Sequence, residues 1–326
     1  MGLIPKIALT PVKWASKKIV HTTLLRFPGG DSHSPVACTY CPEMCRFSCP
    51  TAVVSGNDAV TPSAKNSLLY KESRWPGAAT GGGQLWPIYD CTGCGRCTEY
   101  CVYGVPVHEQ LFEARTQYRW KKSQEVLDAI RGQQDRWGDL AEELGDRGLG
   151  LRRLELALGL IEEPRALAWA LRAREKGWIS GSPAGDVKIA LSWEQELMEG
   201  PSASVVERLR GRRWLVHESS ALNRLLGRTD DVQAWITRAR AAGIDLVRAF
   251  HQGRDCIDCG GEGAYVRLFP EQAERMALDI WERDRERAGG ARVDGVLSFS
   301  KRCAEHFRAV LSKHSVESVA VETVFR

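Results

Sequence analysis

The sequence predicts an α+β protein in which a small α-helical module, built around clustered cysteines, precedes an α/β domain. Two observations support this prediction. Eight of the 11 cysteines in the 326-residue chain fall in two short runs, 38–49 and 91–101. From about residue 185 onward, short runs rich in apolar residues alternate with stretches of helical periodicity. Such alternation is typical of a parallel sheet with crossover helices.

These features divide the chain into four parts. They are a mostly irregular N-terminal arm at 1–35, the helical cysteine module at 36–112, a further helical region at 113–184 and the α/β domain at 185–326. Between the two cysteine runs, residues 51–90 are rich in Gly, Pro, Ser and Thr. That composition predicts an ordered surface connection with little regular structure.

The elements of the C-terminal half follow from periodicity. Short runs rich in apolar residues predict strands at 187–191, 214–216, 243–247 and 293–299. Apolar residues three or four apart predict helices at 232–242, 270–288 and 302–313, and earlier in the chain over much of 111–177. The glycine-rich stretch 260–263 matches no phosphate-binding fingerprint, so a tight turn is the simpler interpretation.

The cysteine spacing is the strongest chemical signal. The second run has gaps of two, two and three residues, and the first has gaps of two, three and three, followed by Pro50. Three closely spaced thiolates can surround one [4Fe–4S] cube. In bacterial two-cluster ferredoxins the fourth cysteine of such a run ligates the other cluster. The spacing therefore predicts two [4Fe–4S] clusters with crossed ligation.

Crossed ligation assigns four cysteines to each cluster. The first quartet is Cys38, Cys41, Cys45 and Cys101, and the second quartet is Cys91, Cys94, Cys97 and Cys49. Zinc is an alternative, although structural zinc sites pair two Cys-x2-Cys units and lack the final three-residue gap. Disulfides or free thiols are a further alternative, disfavoured in a chain without a recognisable secretory signal.

The N-terminal part resembles a known domain. The runs at 38–50 and 91–97, with the connector at 61–65, resemble the α-helical ferredoxin domain of a family of iron–sulfur oxidoreductase subunits. That family includes heterodisulfide reductase subunits, the iron–sulfur subunits of lactate and glycolate oxidation systems, and the C subunit of anaerobic glycerol-3-phosphate dehydrogenase. The resemblance implies an α-helical ferredoxin domain followed by an α/β domain of the cysteine-rich "CCG" type.

The C-terminal half resembles the CCG domain more weakly. The segments that match the motif are 217–220, 258–263 and 303–306. Where the family motif has cysteine, this chain has Ser220, Asp258 and His306. The resemblance implies a third site whose candidate ligands are Cys256, Cys259, Cys303 and His306. Such a site would hold a further [4Fe–4S] cluster or zinc, and an empty, purely structural domain is the alternative.

The resemblance implies an electron-transfer subunit rather than a stand-alone enzyme. Its expected partners are a flavoprotein or other dehydrogenase as donor, and a quinone-linked membrane subunit or a soluble carrier as acceptor. One alternative is a catalytic subunit of the heterodisulfide reductase type, acting at the C-terminal cysteines. Another is a zinc-stabilised scaffold.

Composition and charge argue against a nucleic-acid-binding protein and against a membrane-spanning one. The formal net charge of +4 is too small to indicate nucleic acid as a partner. No stretch of the sequence is apolar enough to cross a bilayer. We therefore expect a cytoplasmic location, on the inner face of the membrane if partners recruit the chain there.

Overall fold

The computed structural model describes most of the cysteine module and most of the α/β domain. The described residues are 35–77, 85–125 and 192–325, except 40, 42, 119, 124, 264, 288–292, 315, 317 and 318, together with 164, 165, 168 and 171. The predicted arm before residue 35, most of the predicted helical region and the predicted strand at 187–191 lie outside the described residues.

The cysteine module is α-helical. Its helices are α1 (Val36–Thr39), α2 (Pro50–Ser55), α3 (Pro62–Arg74), α4 (Arg96–Glu99) and α5 (Val107–Gln117). Helix α2 begins at Pro50, whose fixed φ and missing N–H suit a first helical position, and Cys49 occupies the N-cap. After the second cysteine run the chain turns at Gly104, whose φ is 66°, before α5 begins.

Helix α3 corrects the prediction of little regular structure between the two cysteine runs. Thr61 caps it by accepting a hydrogen bond from the backbone N–H of Ala64 at 3.3 Å. The helix has a weak amphipathic pattern because several of its buried side chains are polar, among them Lys65 and Asn66. Polar residues on a core-facing side hide the helical periodicity that apolar residues would display.

Among its described residues, the α/β domain is built on a four-stranded sheet whose strands are all parallel. The strands are β1 (Arg213–His217), β2 (Asp245–Arg248), β3 (Gly295–Ser298) and β4 (Ala320–Thr323), and their spatial order is β2-β1-β3-β4. The helices are α6 (Ser192–Glu199), α7 (Ala203–Leu209), α8 (Thr229–Ala241), α9 (Tyr265–Leu268), α10 (Pro270–Arg287) and α11 (Lys301–Lys313).

The sheet confirms the predicted parallel α/β architecture, and the chain as a whole has the predicted α+β class. Strands β1, β2 and β3 and helices α8, α10 and α11 lie where periodicity predicted them. Strand β4 was missed, because four residues at a sheet edge give too short an alternating pattern. Among the described helices, none is long and apolar enough to span a bilayer.

The two parts of the chain share one hydrophobic core. Tyr265, Leu268 and Phe269 pack in the same buried cluster as Ile88 and Tyr89 of the cysteine module. Phe269 lies against Trp86, with ring centroids 6.4 Å apart. The buried contact places the α/β domain directly against the loop that precedes Cys91.

Candidate functional site

The second quartet lines a single cavity. Cys49 comes from the N-cap of α2, and Cys97 lies within α4. Cys91 and Cys94 lie on the loop before α4. The sulfur-bearing side chains of all four line a cavity that encloses about 340 Å³, its open side included. The structure thus brings Cys49 of the first run to the three leading cysteines of the second run.

The first quartet lies beside it. Cys38 belongs to α1 and Cys45 to a 3₁₀ turn at Met44–Arg46, while Cys41 and Cys101 are half-buried. Burial raises the pKa of the Cys38 thiol to about 11, a hydrogen bond from Asn66 opposes this, and the nearby Cys101 and Cys41 sulfurs raise it further. Cys101 therefore lies close enough to Cys38 for their charges to interact.

The two quartets are neighbours. Burial raises the pKa of the Cys97 thiol well above its usual value, and Cys91, Cys94, Cys49 and Cys45 add to the effect. Burial, and then Cys38, similarly raises the pKa of Cys45 to about 12. Thiolates gathered in a buried site repel each other and are poorly solvated, so they require bound metal to remain ionised. The donor chemistry fits iron–sulfur clusters.

Sulfur spacing separates a cluster from a single zinc ion. Tetrahedral zinc, with Zn–S bonds of about 2.3 Å, holds its thiolate sulfurs about 3.8 Å apart. Among the described residues, no three of the eight N-terminal sulfurs lie within 4.8 Å of one another. A cube of iron and sulfide is larger than one ion and holds its thiolates further apart. The described sulfurs of the two quartets are thus not spaced for a single zinc ion.

Several hydrogen-bond donors point at the cysteine sulfurs. The backbone N–H of Gly93 donates to Cys91 Sγ at 3.3 Å, and that of Val105 donates to Cys101 Sγ at 3.4 Å. The Asn66 side-chain amide donates to Cys38 Sγ at 3.4 Å. Hydrogen bonds to cluster sulfurs stabilise the reduced, more negative state and so raise the reduction potential.

Lys65 is a functional candidate that the sequence did not single out. It is only 1% exposed, and it lines the cavity of the second quartet. Its ammonium group donates to Thr51 Oγ1 at 3.2 Å and to the carbonyl oxygen of Asp90. Thr51 Oγ1 in turn lies 3.2 Å from Cys49 Sγ. The residue places a buried positive charge beside four thiolates.

The predicted third site is not assembled as a set of four. Cys259 and Cys303 lie together, and their partner is His217 rather than Cys256 or His306. The Cys256 sulfur instead accepts hydrogen bonds from Arg224 at 3.4 Å and Asn223 at 3.5 Å. His306 Nε2 donates to the carbonyl oxygen of Ala273 at 3.1 Å. The three ligand atoms that lie at single-ion spacing therefore differ from the predicted set of four, because spacing along the chain does not determine which side chains meet across the fold.

The three grouped side chains are electrostatically linked. Burial opposes a thiolate at Cys259, but a hydrogen bond with Cys303 and the adjacent His217 imidazole outweigh it and lower the pKa of Cys259. Burial also disfavours the charged form of His217, yet the Cys259 sulfur outweighs it and raises the His217 pKa. The hydrogen bond with Cys259, followed by burial, raises the pKa of Cys303.

The cysteine module has the sequence of an iron–sulfur domain. Residues 36–105 match the family model described as a 4Fe-4S dicluster domain. This segment contains all eight N-terminal cysteines. The match supports the binding of [4Fe–4S] clusters and an electron-transfer role. Neither the comparison with curated proteins nor that with solved structures gives a match.

Proposed function

We propose that this chain is an electron-transfer subunit that holds two [4Fe–4S] clusters with crossed ligation. The observation that carries the proposal is the position of Cys49, which lines one cavity with Cys91, Cys94 and Cys97. The charge interaction between Cys101 and Cys38 supports the reciprocal exchange. The eight cysteines are then the cluster ligands, four from each quartet.

The proximity of the quartets supports a relay. Cys45 and Cys49 belong to different quartets, and the backbone N–H of Cys49 donates to the carbonyl of Cys45 at 3.2 Å. Two clusters held by such neighbouring residues would exchange electrons within the module. When bound, each cluster supplies the one-electron chemistry.

The chain's own residues supply geometry, charge and exclusion of water. Lys65, buried beside the second quartet, offsets negative charge on its thiolates. Arg115, also buried, donates to the carbonyl oxygens of Ile88 at 2.9 Å and Cys91 at 2.8 Å. These bonds hold the loop that carries Cys91 and Cys94 in one conformation. Fixed ligand geometry keeps the reorganisation that accompanies each electron small.

Exposed apolar side chains near the first quartet support exchange with partner proteins. Phe47 is 77% exposed and Val102 is 60% exposed, and they lie two and one residues from Cys45 and Cys101 respectively. Each of these side chains offers apolar surface next to a proposed cluster ligand, where a redox partner would have to approach. The proposed donor is a flavoprotein or other dehydrogenase, and the proposed acceptor is a quinone-linked or soluble carrier.

The catalytic alternative would use the C-terminal thiols on a disulfide substrate. Cys259 has a lowered pKa, as a nucleophilic thiol requires. Its side chain is 0% exposed, however, and that of Cys303 is only 2% exposed. A substrate cannot reach either sulfur without opening the domain, which favours the electron-transfer role.

Paired alanine variants test the crossed ligation. The protein is purified without oxygen, reduced, and examined by electron paramagnetic resonance together with iron and sulfide analysis. Cys41→Ala and Cys94→Ala define the spectra that remain when the first or the second quartet is damaged. We expect about eight irons per chain in the wild type, since two clusters hold four each.

The spectra of variants at Cys49 and Cys101, the two cysteines that cross between the runs, then decide the question. Cys49→Ala should reproduce the spectrum of Cys94→Ala, and Cys101→Ala should reproduce that of Cys41→Ala. If Cys49→Ala instead matches Cys41→Ala, each run ligates its own cluster and crossing is wrong. A folded wild-type protein without iron or sulfide would refute the proposed function as a whole.

A further inference from the structure

We propose that His217, Cys259 and Cys303, here called the His217 group, bind one zinc ion at the carboxyl end of the parallel sheet. This site differs from the predicted third site in its ligands, and it does not depend on the proposed electron-transfer function. It also differs from the two quartets in size, since it fits one ion rather than a cluster.

The ligand atoms are spaced for a single ion. One nitrogen of His217 and the sulfurs of Cys259 and Cys303 all lie within 4.8 Å of one another. Zinc bonds of about 2.3 Å to sulfur and about 2.0–2.1 Å to nitrogen place tetrahedral ligands about 3.5–3.8 Å apart. A small contraction of the group would therefore close around the ion. Two thiolates would neutralise its charge, which a buried site requires.

The topology favours a ligand at this place. In the strand order β2-β1-β3-β4, the order reverses between β1 and β3. Ligands of open α/β sheets bind beyond the carboxyl ends of the strands at such a reversal. His217 is the last residue of β1, and Cys303 lies in the first turn of α11, which follows β3. The group therefore stands at the switch point of the sheet.

The residues around the group do not complete the cysteine motif of the CCG domain that the C-terminal half resembles. That family places cysteines at the positions of Ser220, Asp258 and His306. Here Ser220 donates its hydroxyl to Asp258 Oδ2 at 2.8 Å, and Asp258 Oδ1 accepts from the backbone N–H of Gly260 at 2.8 Å. These two side chains satisfy each other instead of ligating iron.

Packing and a hydrogen bond fix the orientation of His306, whose nitrogens do not lie within the 4.8 Å spacing of the group. A Cβ atom added to Gly261 would lie 2.6 Å from His306 Cβ, so the loop backbone rests directly on this side chain. The His306 Nε2 bond to the Ala273 carbonyl then orients the imidazole toward α10. His217 is oriented differently, by the ring of Phe307 at a centroid distance of 4.9 Å. Of the two imidazoles, only that of His217 joins the two thiols.

The ion would have a structural role. It would join the end of β1, the loop that carries Cys259 and the start of α11. The same loop carries Asp255 and Cys256, which contact Arg96 and Arg224. Arg224 donates to the carbonyl oxygen of Cys94 at 2.6 Å, so the loop also borders the second quartet. Zinc would thus stiffen the surface on which the cysteine module rests.

Zinc analysis of the full-length chain tests the site. The protein is purified anaerobically, and zinc and iron are counted in the same sample for the wild type, His217→Ala, Cys259→Ala and Cys303→Ala. The matched control is Cys256→Ala, which removes another buried thiol three residues from Cys259. We expect about one zinc per chain in the wild type and the control, and at least a fivefold loss in the three ligand variants with iron unchanged.

X-ray absorption at the zinc edge keeps the test informative if a ligand variant fails to fold. On wild-type protein it should report two sulfur neighbours at about 2.3 Å, one imidazole nitrogen at about 2.0–2.1 Å, and one further oxygen or nitrogen neighbour that completes the tetrahedron. Folded wild type without stoichiometric zinc would overturn the proposal, as would zinc loss in Cys256→Ala equal to that in Cys303→Ala. Iron in place of zinc, lost on Cys303→Ala, would also overturn it. None of these results alters the iron count expected for the two quartets.

Discussion

The hydroxyl of Tyr265 donates to Asp90 Oδ1 at 2.8 Å, although the two residues are 175 positions apart. Both side chains are buried. Asp90 directly precedes Cys91, and the backbone carbonyl oxygen of Asp90 accepts a hydrogen bond from the Lys65 ammonium group. Through this bond the α/β domain contacts the residue beside the second quartet. Burial raises the pKa of Asp90, and Lys65, Tyr265 and Arg115 counteract that rise.

Removing this hydroxyl should loosen the junction of the two parts. Tyr265→Phe leaves a buried carboxyl oxygen of Asp90 without its donor, which costs about 1–3 kcal/mol. We expect a lower thermal unfolding midpoint and earlier loss of visible cluster absorbance on heating. Tyr70→Phe, on a half-buried side chain of α3, is the control. Equal midpoints for Tyr265→Phe and the wild type would contradict the role given to the bond.

Lys65 should influence the reduction potential of the cluster proposed for the second quartet. Lys65→Met removes a buried positive charge that stabilises the reduced, more negative state. At an effective dielectric constant of about 20, a charge about 10 Å away contributes roughly 1–2 kcal/mol, or some tens of millivolts. We expect the potential to fall by that amount in a redox titration followed by electron paramagnetic resonance. Lys71→Met, on an exposed lysine of α3, should leave the potential unchanged.

Asn66 should act on the other cluster. Its side-chain amide donates to Cys38 Sγ at 3.4 Å and to Gln110 Oε1 at 2.6 Å. Asn66→Leu keeps the approximate shape of the side chain and removes the hydrogen-bond donor. The reduction potential of the first cluster should therefore fall by an amount equivalent to about 1 kcal/mol. The same titration separates the two clusters. A shift of the second cluster by Asn66→Leu, or of the first by Lys65→Met, would reverse the assignment.

The lowered pKa of the Asp255 carboxyl predicts that this residue contributes to stability in a pH-dependent way. Burial raises the pKa of this carboxyl, but hydrogen bonds from Tyr100, His251 and Arg96 outweigh burial and lower it to about 2. A pKa below the usual 3.8 means that the carboxylate stabilises the fold above pH 3.8. That contribution is lost as the pH falls from 3.8 through 2. The Asp255 carboxylate is partly exposed, so its expected contribution to the free energy of unfolding is only about 0.5–1 kcal/mol.

Urea unfolding of the wild type and Asp255→Asn measures this contribution. The difference in unfolding free energy between the two proteins should reach that amount at about pH 5. It should then close as the pH falls below 3.8. A difference that grows on acidification would contradict the assigned sign. Glu271→Gln, an exposed carboxylate at the start of α10, serves as the charge control.

Helix α3 shows why part of the fold escaped sequence interpretation. Its buried face carries Lys65 and Asn66, whose polarity resembles that of a solvated loop. These side chains are buried because they donate to Asp90, Thr51 and Cys38, which are distant in sequence. Strands β1 and β3 were predictable because each contains a short apolar run that is buried in the sheet.

The sequence by itself determined the chemistry of this protein. The gaps among the eight N-terminal cysteines are local, and local spacing decides which sulfurs one short loop can present to a cluster. Tertiary structure alone decided that His217, rather than Cys256 or His306, joins Cys259 and Cys303. Those side chains come from a strand end, a loop and a helix, and only the packing of the sheet against its helices sets the distances between them.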